Sequence, residues 1–192
     1  MLQGAVLDRH FVCKESNMSL SRLLLCAAVV GALPLASAAD TPEPLLGSAN
    51  LSLAGASALL DRAVAKATGE GVHPCIAITD ASGYLLAFKR TDGAAPGCVE
   101  AAIKKANSAA INDVDTVVFY DLARKDNLQL GSIPGILPAV AGLVIRQQGQ
   151  RVGGMGVAGG ASDAQEQRFA TEVVRAFEKT LPAPQPLKET HP

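Results

Sequence analysis

Residues 72–89 have the sequence VHPCIAITDASGYLLAFK, and this stretch decides the fold. A nearly continuous apolar run from Val72 to Thr79 is followed, after a short polar segment, by a second run from Tyr84 to Lys89. Between the runs, Asp80 and Gly83 occupy the first and last positions that these residues favour in a type I β-turn. Two runs of this length joined by so short a turn predict an antiparallel β-hairpin.

A second hairpin and four helices complete the predicted fold. The hairpin strands are residues 139–146 and 150–158, which turn around Gln148 and Gly149. Apolar residues recur at helical spacing before, between and after the hairpins, so the predicted order is helix, two strands, two helices, two strands, helix. Because strands joined by tight turns run antiparallel, this order predicts a single α/β (α+β) domain with a mainly antiparallel β-sheet flanked by helices.

Local signals define the helices further. Ser52 is a suitable N-cap for the first helix, and Asp115 is expected to cap a short third helix that runs to Leu122. The residues expected to face the core are Leu53, Ala56, Leu60, Ala63, Val64 and Ala67 in the first helix and Val99, Ala102, Ile103, Ala106 and Ala110 in the second.

The second helix also carries polar residues at helical spacing. Lys105, Ser108 and Asn112 are three and four positions apart, so their side chains are expected to point together. The following segment, residues 125–138, is rich in Gly and Pro and has little periodicity. We expect it to be a loop that could cover a site.

The composition restricts both the core and the partners. Apolar residues make up 48% of the 192 residues, but aromatic residues only 4%, and Trp is absent. The core must therefore consist mainly of Ala, Val, Leu and Ile. The net charge of -1 and the pI of about 6.3 provide no basic surface for a phosphate backbone, so nucleic acid is not an expected partner.

The N-terminal region predicts export. Residues 18–40 read MSLSRLLLCAAVVGALPLASAAD, in which Arg22 precedes an apolar run and the run ends in a small-x-small cleavage pattern. The run is too short to span a bilayer. We expect translation to start at Met18 and cleavage to follow Ala38 or Ala39, giving a periplasmic or secreted protein with no membrane attachment.

These signals divide the chain into four segments. Residues 1–38 are expected to be an extension plus signal peptide, 39–50 a flexible linker, 51–181 the folded domain and 182–192 a disordered, Pro-rich tail. Cleavage removes two of the four cysteines. It leaves Cys75 and Cys98 in a compartment that permits a disulfide, and the sequence leaves open whether they pair or stay reduced and buried, the second alternative being preferred.

A glycine-rich motif lies on the last predicted strand. Residues 154–159, GMGVAG, match the GxGxxG pattern of dinucleotide-binding folds. Such a fold needs a further strand after the next helix, and here the helix leads into the tail. We therefore interpret these glycines as positions where a flat ligand or another backbone approaches closely.

No catalytic constellation emerges from the folded segment. His73 is its only histidine and precedes a proline at the start of a strand, where a packed or edge residue is expected. Cys98 precedes a helix but has no identified base partner, and Lys105 with Ser108 lacks an oxyanion-hole signature. The spacings typical of zinc sites or covalently attached c-type haem do not occur.

Three motifs together resemble one family. The hairpin ITDASGYLLAFKRTDGAAPG (residues 78–97) is similar to a segment of the GlcG/HbpS-like haem-binding proteins, a domain also found at the C-terminus of PduO. The helix motif IKKANSAA (103–110) is similar to their KAxTA motif, and VGGMGVAGG (152–160) to their IGAIGVSGG motif. The similarity extends from about residue 53 to residue 181.

The resemblance implies a profilin-like fold, assembly into homo-oligomers and haem as cofactor. Haem needs a flat apolar slot and a cation near its propionates, which Arg90 and Lys105 can supply, and an axial donor could come from Ser108 or His73. The implied cofactor-binding residues are Arg90, Lys105, Ser108, Gly153, Gly156 and Gly159, and His73 is the candidate iron ligand. The polar helix face would then be solvated or bind propionates.

Three functions remain open at this point. The chain could be an exported haem-binding protein that buffers, senses or degrades haem. It could instead be an accessory enzyme or small-molecule-binding protein of a catabolic pathway, for which Asp80, Asp92 and Glu100 are the nearby carboxylates, or an oligomeric structural module without a ligand. The sequence departs from the family motifs at Thr91, which replaces Met, and at Ser108, which replaces Thr.

Overall fold

The computed structural model of the chain describes residues 49–183, which lie within the compact unit Leu45–Pro192. The elements in chain order are α1 (Leu53–Glu70), β1 (Cys75–Asp80), β2 (Leu85–Arg90), α2 (Cys98–Asn112), α3 (Thr116–Lys125), a 3-10 helix (Leu128–Ser132), β3 (Gly142–Gln147), β4 (Gln150–Ala158) and α4 (Asp163–Glu178). The order predicted from the sequence is confirmed. The expected signal peptide and most of the expected linker and tail lie outside the described residues.

The four strands form one antiparallel sheet in the order β2-β1-β4-β3. The two predicted hairpins therefore lie side by side, and their inner strands, β1 and β4, pair along the middle of the sheet. Ile78 of β1 lies opposite Met155 of β4, and both are fully buried. The predicted fold class, an antiparallel sheet flanked by helices, is confirmed.

The sequence signals for the first turn act as expected. One carboxylate oxygen of Asp80 accepts hydrogen bonds from the Ser82 N–H at 2.9 Å and the Tyr84 N–H at 2.8 Å. Gly83 has φ +85°, a conformation that glycine adopts without steric cost. At the start of α1, the Ser52 hydroxyl caps the Gly55 N–H at 3.1 Å.

The two faces of the sheet carry different cores. Helices α1 and α4 cover one face with large side chains, and α2 covers the other with small ones. The larger core includes Leu59, Leu60, Ile76, Ile78, Leu143, Ile145, Met155, Val157, Phe169, Val174 and Phe177. The smaller core contains Cys75, Ala77, Ala94, Cys98, Ala102, Ala106 and Ala158.

Helix α2 lies against the backbone of the sheet because the strands beneath it carry glycine. A Cβ added to Gly156 would lie 2.0 Å from the Ala102 carbonyl oxygen, and one added to Gly154 would lie 2.4 Å from the Ala106 carbonyl oxygen. A Cβ added to Gly142 would meet the Lys105 carbonyl oxygen at 2.6 Å. The glycine motif predicted that either a flat ligand or another backbone approaches closely. On this face of the sheet, the α2 backbone occupies that position.

The close contact corrects the expected polar face of α2. Lys105 and Ser108 do point to the same side, but that side faces the protein interior, with 7% and 2% of their surface exposed. A solvated face is therefore wrong for these two residues. Asn112 lies at the edge of this region and donates to the Gly135 carbonyl at 2.8 Å.

Smaller differences concern individual side chains. Leu53, which was expected to face the core, is 62% exposed. Leu59 is buried in the core instead. Asp115 lies at the N-cap position of α3 but does not cap it. Its carboxylate instead accepts from the Val144 N–H at 2.8 Å and pairs with Arg175 at 2.9 Å.

Cys75 and Cys98 form a disulfide. It joins the first residue of β1 to the first residue of α2, so the preferred alternative of two reduced thiols is wrong. Asn50, which the sequence assigned to the linker, accepts a hydrogen bond from the Ala81 N–H at 3.1 Å. Pro182, assigned to the tail, accepts one from the Gln147 side chain. The folded domain thus includes a few residues beyond its expected limits.

Within residues 49–183, none of the helices has the length and apolar character needed to cross a bilayer.

The contact between α2 and β4 can be tested with a single methyl group. Gly156→Ala places a Cβ against the α2 backbone, and we expect it to lower the free energy of unfolding by about 3 kcal/mol. Gly69→Ala is the control, because that glycine lies in α1 with nothing within 4 Å of an added Cβ. It should stabilise the protein by about 1 kcal/mol through helix propensity. Equal effects in urea unfolding would contradict the packing described here.

Candidate ligand cleft at His73

His73 lies in the short connection between α1 and β1 and is exposed. Its ring lies against the backbone of Gly93, where an added Cβ would be 3.6 Å from the His73 Cγ atom. A Cβ on Gly159 would lie 3.4 Å from the His73 carbonyl oxygen. Two glycines from other parts of the chain therefore flank this histidine and leave its surroundings open.

Two open clefts meet at His73. Both are lined by Gly71, Val72 and His73, and their volumes are about 400 Å³ and about 520 Å³. We call the first the cationic lobe, which adds Val64, Thr68, Lys89, Arg90, Thr91 and Asp92 to the shared residues. The second is the glycine lobe, whose further lining residues include Gly93, Ala95, Gly159, Gly160 and Gln165.

Arg90 shapes the cationic lobe. Its guanidinium donates to the Ala94 carbonyl oxygen from Nε at 3.1 Å and from Nη2 at 2.7 Å, which fixes the turn after β2. The neighbouring Lys89 forms an exposed ion pair with Asp61 at 2.6 Å. Two cations thus lie at one side of the histidine, where they can attract the carboxylates of a ligand.

The Glu166 carboxylate binds the backbone of Gly159 and Gly160, which form one wall of the glycine lobe. The N–H groups of Gly159 and Gly160 both donate to Glu166 Oε1 at 2.8 Å. Lys105 Nζ donates to Glu166 Oε2 at 2.6 Å and to the Val157 carbonyl oxygen at 2.9 Å. The Lys105 cation, expected at the propionates, is directed to these internal partners.

The other expected site residues lie elsewhere. The Ser108 hydroxyl accepts from the Leu137 N–H at 2.9 Å and lines a third cleft, of about 260 Å³, between α2 and the segment before β3. Gly156 lies beneath α2, and a Cβ on Gly153 would lie 2.4 Å from the Thr79 carbonyl oxygen. The expectation that these two glycines receive a flat ligand is therefore corrected, because protein atoms already fill the space beside each of them.

Of the seven expected residues, the structure brings His73, Arg90 and Gly159 together. Glu166 was not among them, although the sequence places an acidic residue in the first turn of α4, directly after the glycine-rich strand. Such a carboxylate is well placed to accept from backbone N–H groups near a helix start. That position is the signal by which it could have been found.

The carboxylates considered for catalysis do not converge. Asp80 is committed to its turn, and Glu100 pairs with Lys104 at 3.0 Å on the surface of α2. Asp92 lines the cationic lobe. Among the described residues, no group of three His, Cys, Asp or Glu side chains could hold a metal ion.

Comparison with known proteins agrees with the fold and the motifs. The family described as "Haem degrading protein HbpS-like" matches residues 51–175. The HbpS crystal structure is 30% identical, with a TM-score of 0.64 over 72% of this chain and 97% of HbpS. A double mutant of Streptomyces reticuli HbpS is also 30% identical, with a TM-score of 0.63 over 75% of this chain and 95% of that one.

Two further structures share the fold. The PduOC:Heme complex is 25% identical, with a TM-score of 0.59 over 66% of this chain and 94% of that one. The Klebsiella pneumoniae protein ORFY is 24% identical, with a TM-score of 0.66 over 74% and 99% of the two chains. A search of curated proteins finds no significant match.

The fold is that of a single-domain α+β protein with two open clefts beside a helix-to-strand connection. The family match covers well over half of the chain. The protein belongs to the HbpS-like family.

Proposed function

We propose that the mature chain binds haem in the His73 cleft. The HbpS-like family description and the haem complex of PduOC support haem as the ligand. Imidazole is the commonest protein ligand of haem iron, and His73 presents one in an open position. The observation that carries the proposal is the meeting of two clefts at this exposed histidine, with Arg90 at one side.

The residues present fit the group. Each cleft has a volume within the range of roughly 300–1,000 Å³ that is usual for cofactor sites. Val64 and Val72 offer apolar contacts, and Lys89 and Arg90 offer positive charge for two propionates. The lining offers one imidazole and two cations, of which Lys89 is paired with Asp61, and it also includes the Asp92 carboxylate.

We further propose that the chain holds haem for buffering or sensing. Bound haem supplies reversible redox chemistry and an affinity for small ligands of its iron. In the described cleft, His73 would hold the iron, Arg90 and Lys89 would neutralise the propionates, and the glycine wall would admit the flat ring. Degradation would require an oxidant and a source of electrons in addition to these groups.

Haemin titration tests the site. We expect the wild-type mature chain to shift the Soret band and to saturate near one haem per chain. His73→Ala should weaken binding by about tenfold or more and change the spectrum, because it removes the axial donor. Ser108→Ala, in the third cleft, should retain the wild-type spectrum.

Two outcomes would contradict the assignment. A wild-type spectrum and affinity in His73→Ala would remove the histidine from the site. Loss confined to Ser108→Ala would place the haem in the third cleft, between α2 and the segment before β3. Melting temperatures of both variants, measured without haemin, control for general destabilisation.

We propose that the protein acts in the periplasm or outside the cell. The signal-peptide pattern of residues 18–40 supports this, and so does the Cys75–Cys98 disulfide, since such bonds persist in oxidising compartments. The intact mass of the exported protein tests both features at once. We expect an N-terminus at Ala39 or Asp40 and no thiol that reacts with iodoacetamide under denaturing, non-reducing conditions; an uncleaved chain in which Cys75 and Cys98 both react would contradict export.

We also propose that the domain assembles into homo-oligomers. Large apolar side chains are exposed at the start of β2 and around the 3-10 helix, among them Tyr84, directly before β2, at 75% and Leu128 at 88%. The outer edge of β2 also presents backbone groups without a neighbouring strand among the described residues. Light scattering after size exclusion should give a multiple of the monomer mass, and a monomer at micromolar concentration would contradict the proposal.

A further inference from the structure

We propose that Glu166 is a positioning residue for the haem cleft, acting through the Gly159–Gly160 wall. This inference rests on the proposed function and adds to it the group that holds one side of the site. Glu166 divides its two oxygens between two tasks: Oε1 accepts both glycine N–H groups at 2.8 Å, and Oε2 accepts from Lys105 at 2.6 Å.

The ion pair is shielded from water. The side chains of Lys105 and Glu166 are 9% and 11% exposed, so neither charge is well solvated. Lys105 enters this region because the glycines of β4 let α2 lie on the sheet. An uncompensated charge left here would be strongly unfavourable, and Lys105 therefore holds the carboxylate firmly in place.

The held loop is part of the cleft. Gly159 has φ +98°, and a Cβ at this residue would lie 3.4 Å from both the His73 carbonyl oxygen and the Cys98 Cβ. A Cβ on Gly160 would lie 2.6 Å from Glu166 Cγ. The loop is therefore fitted between the Glu166 side chain on one side and the His73 segment on the other. Releasing it would move the wall that a flat ligand contacts.

The substitution Glu166→Gln distinguishes positioning of the cleft wall from general stabilisation of the fold. Glu166→Gln leaves a single acceptor oxygen where the carboxylate had two. The unpaired Lys105 ammonium competes for that oxygen, so the two glycine N–H groups lose their acceptor. In the double variant Lys105→Met with Glu166→Gln, the competitor is absent and the amide oxygen can return to the glycines.

The matched control lies on the same helix. Glu172 pairs with Lys66 at 2.6 Å on the surface, and the hydrogen bond from Lys66 lowers the pKa of the Glu172 carboxyl. Glu172→Gln therefore removes a carboxylate–lysine pair from α4 without touching the cleft wall. It should change neither the loop nor haemin binding.

The experiment combines hydrogen exchange of the haem-free protein with haemin titration. In Glu166→Gln we expect exchange of the Gly159 and Gly160 amides to accelerate about tenfold or more and haemin to bind about tenfold more weakly. The double variant should recover most of both losses, and Glu172→Gln should match wild type. Recovery in the double variant is not expected if Glu166 merely stabilises the fold, because that variant also removes the hydrogen bond from Lys105 to the Val157 carbonyl oxygen.

Unchanged glycine exchange in Glu166→Gln would overturn the inference, and so would faster exchange with unaltered haemin affinity. Failure of the double variant to recover either loss would also contradict it. A wild-type chain that takes up no haemin would overturn the proposed function and the ligand part of this inference together. The exchange data on the haem-free protein distinguish the two failures, because they report the loop contact alone.

Discussion

The contact between the α2 backbone and the glycines of β4 is the constraint on which the rest of the structure depends. At Gly154 and Gly156 the helix backbone fills the space that a side chain would take. Alanines on the facing side of α2 complete the contact, so this layer is thin compared with the one beneath α1 and α4. Dispersion contacts at such short range depend on every atom, and one added methyl group would separate the layers.

The same contact determines where the polar groups lie. It carries Lys105 into the interior, where Glu166 neutralises it, and Glu166 in turn holds the loop that follows β4. It also brings the start of α2 beside the start of β1, where Cys98 bonds to Cys75. Both connections lie next to His73, so the cleft is bounded by segments that the helix-on-sheet packing fixes in place.

Local chemistry predicted the elements well, and long-range packing decided the site. The turn at Asp80 and Gly83 follows from residues within four positions of each other, and it forms as predicted. Helical spacing showed that Lys105 and Ser108 share a side, but it could not show that this side faces glycine strands far along the chain. The hairpin of β1 and β2 brings Arg90 beside the His73 segment, but the approach of Gly159 depends on the pairing of β1 with β4, which no local pattern specifies.

The central claim is that haem occupies the cleft at His73, and nuclear magnetic resonance of the labelled mature protein tests it most directly. Ferric haem is paramagnetic and broadens the signals of nearby amides. Substoichiometric haemin should broaden Gly93, Gly159 and Gly160, which line the glycine lobe, and leave Asn107 and Gly135 of the third cleft sharp. Broadening confined to Asn107 and Gly135, or none at all, would contradict the account.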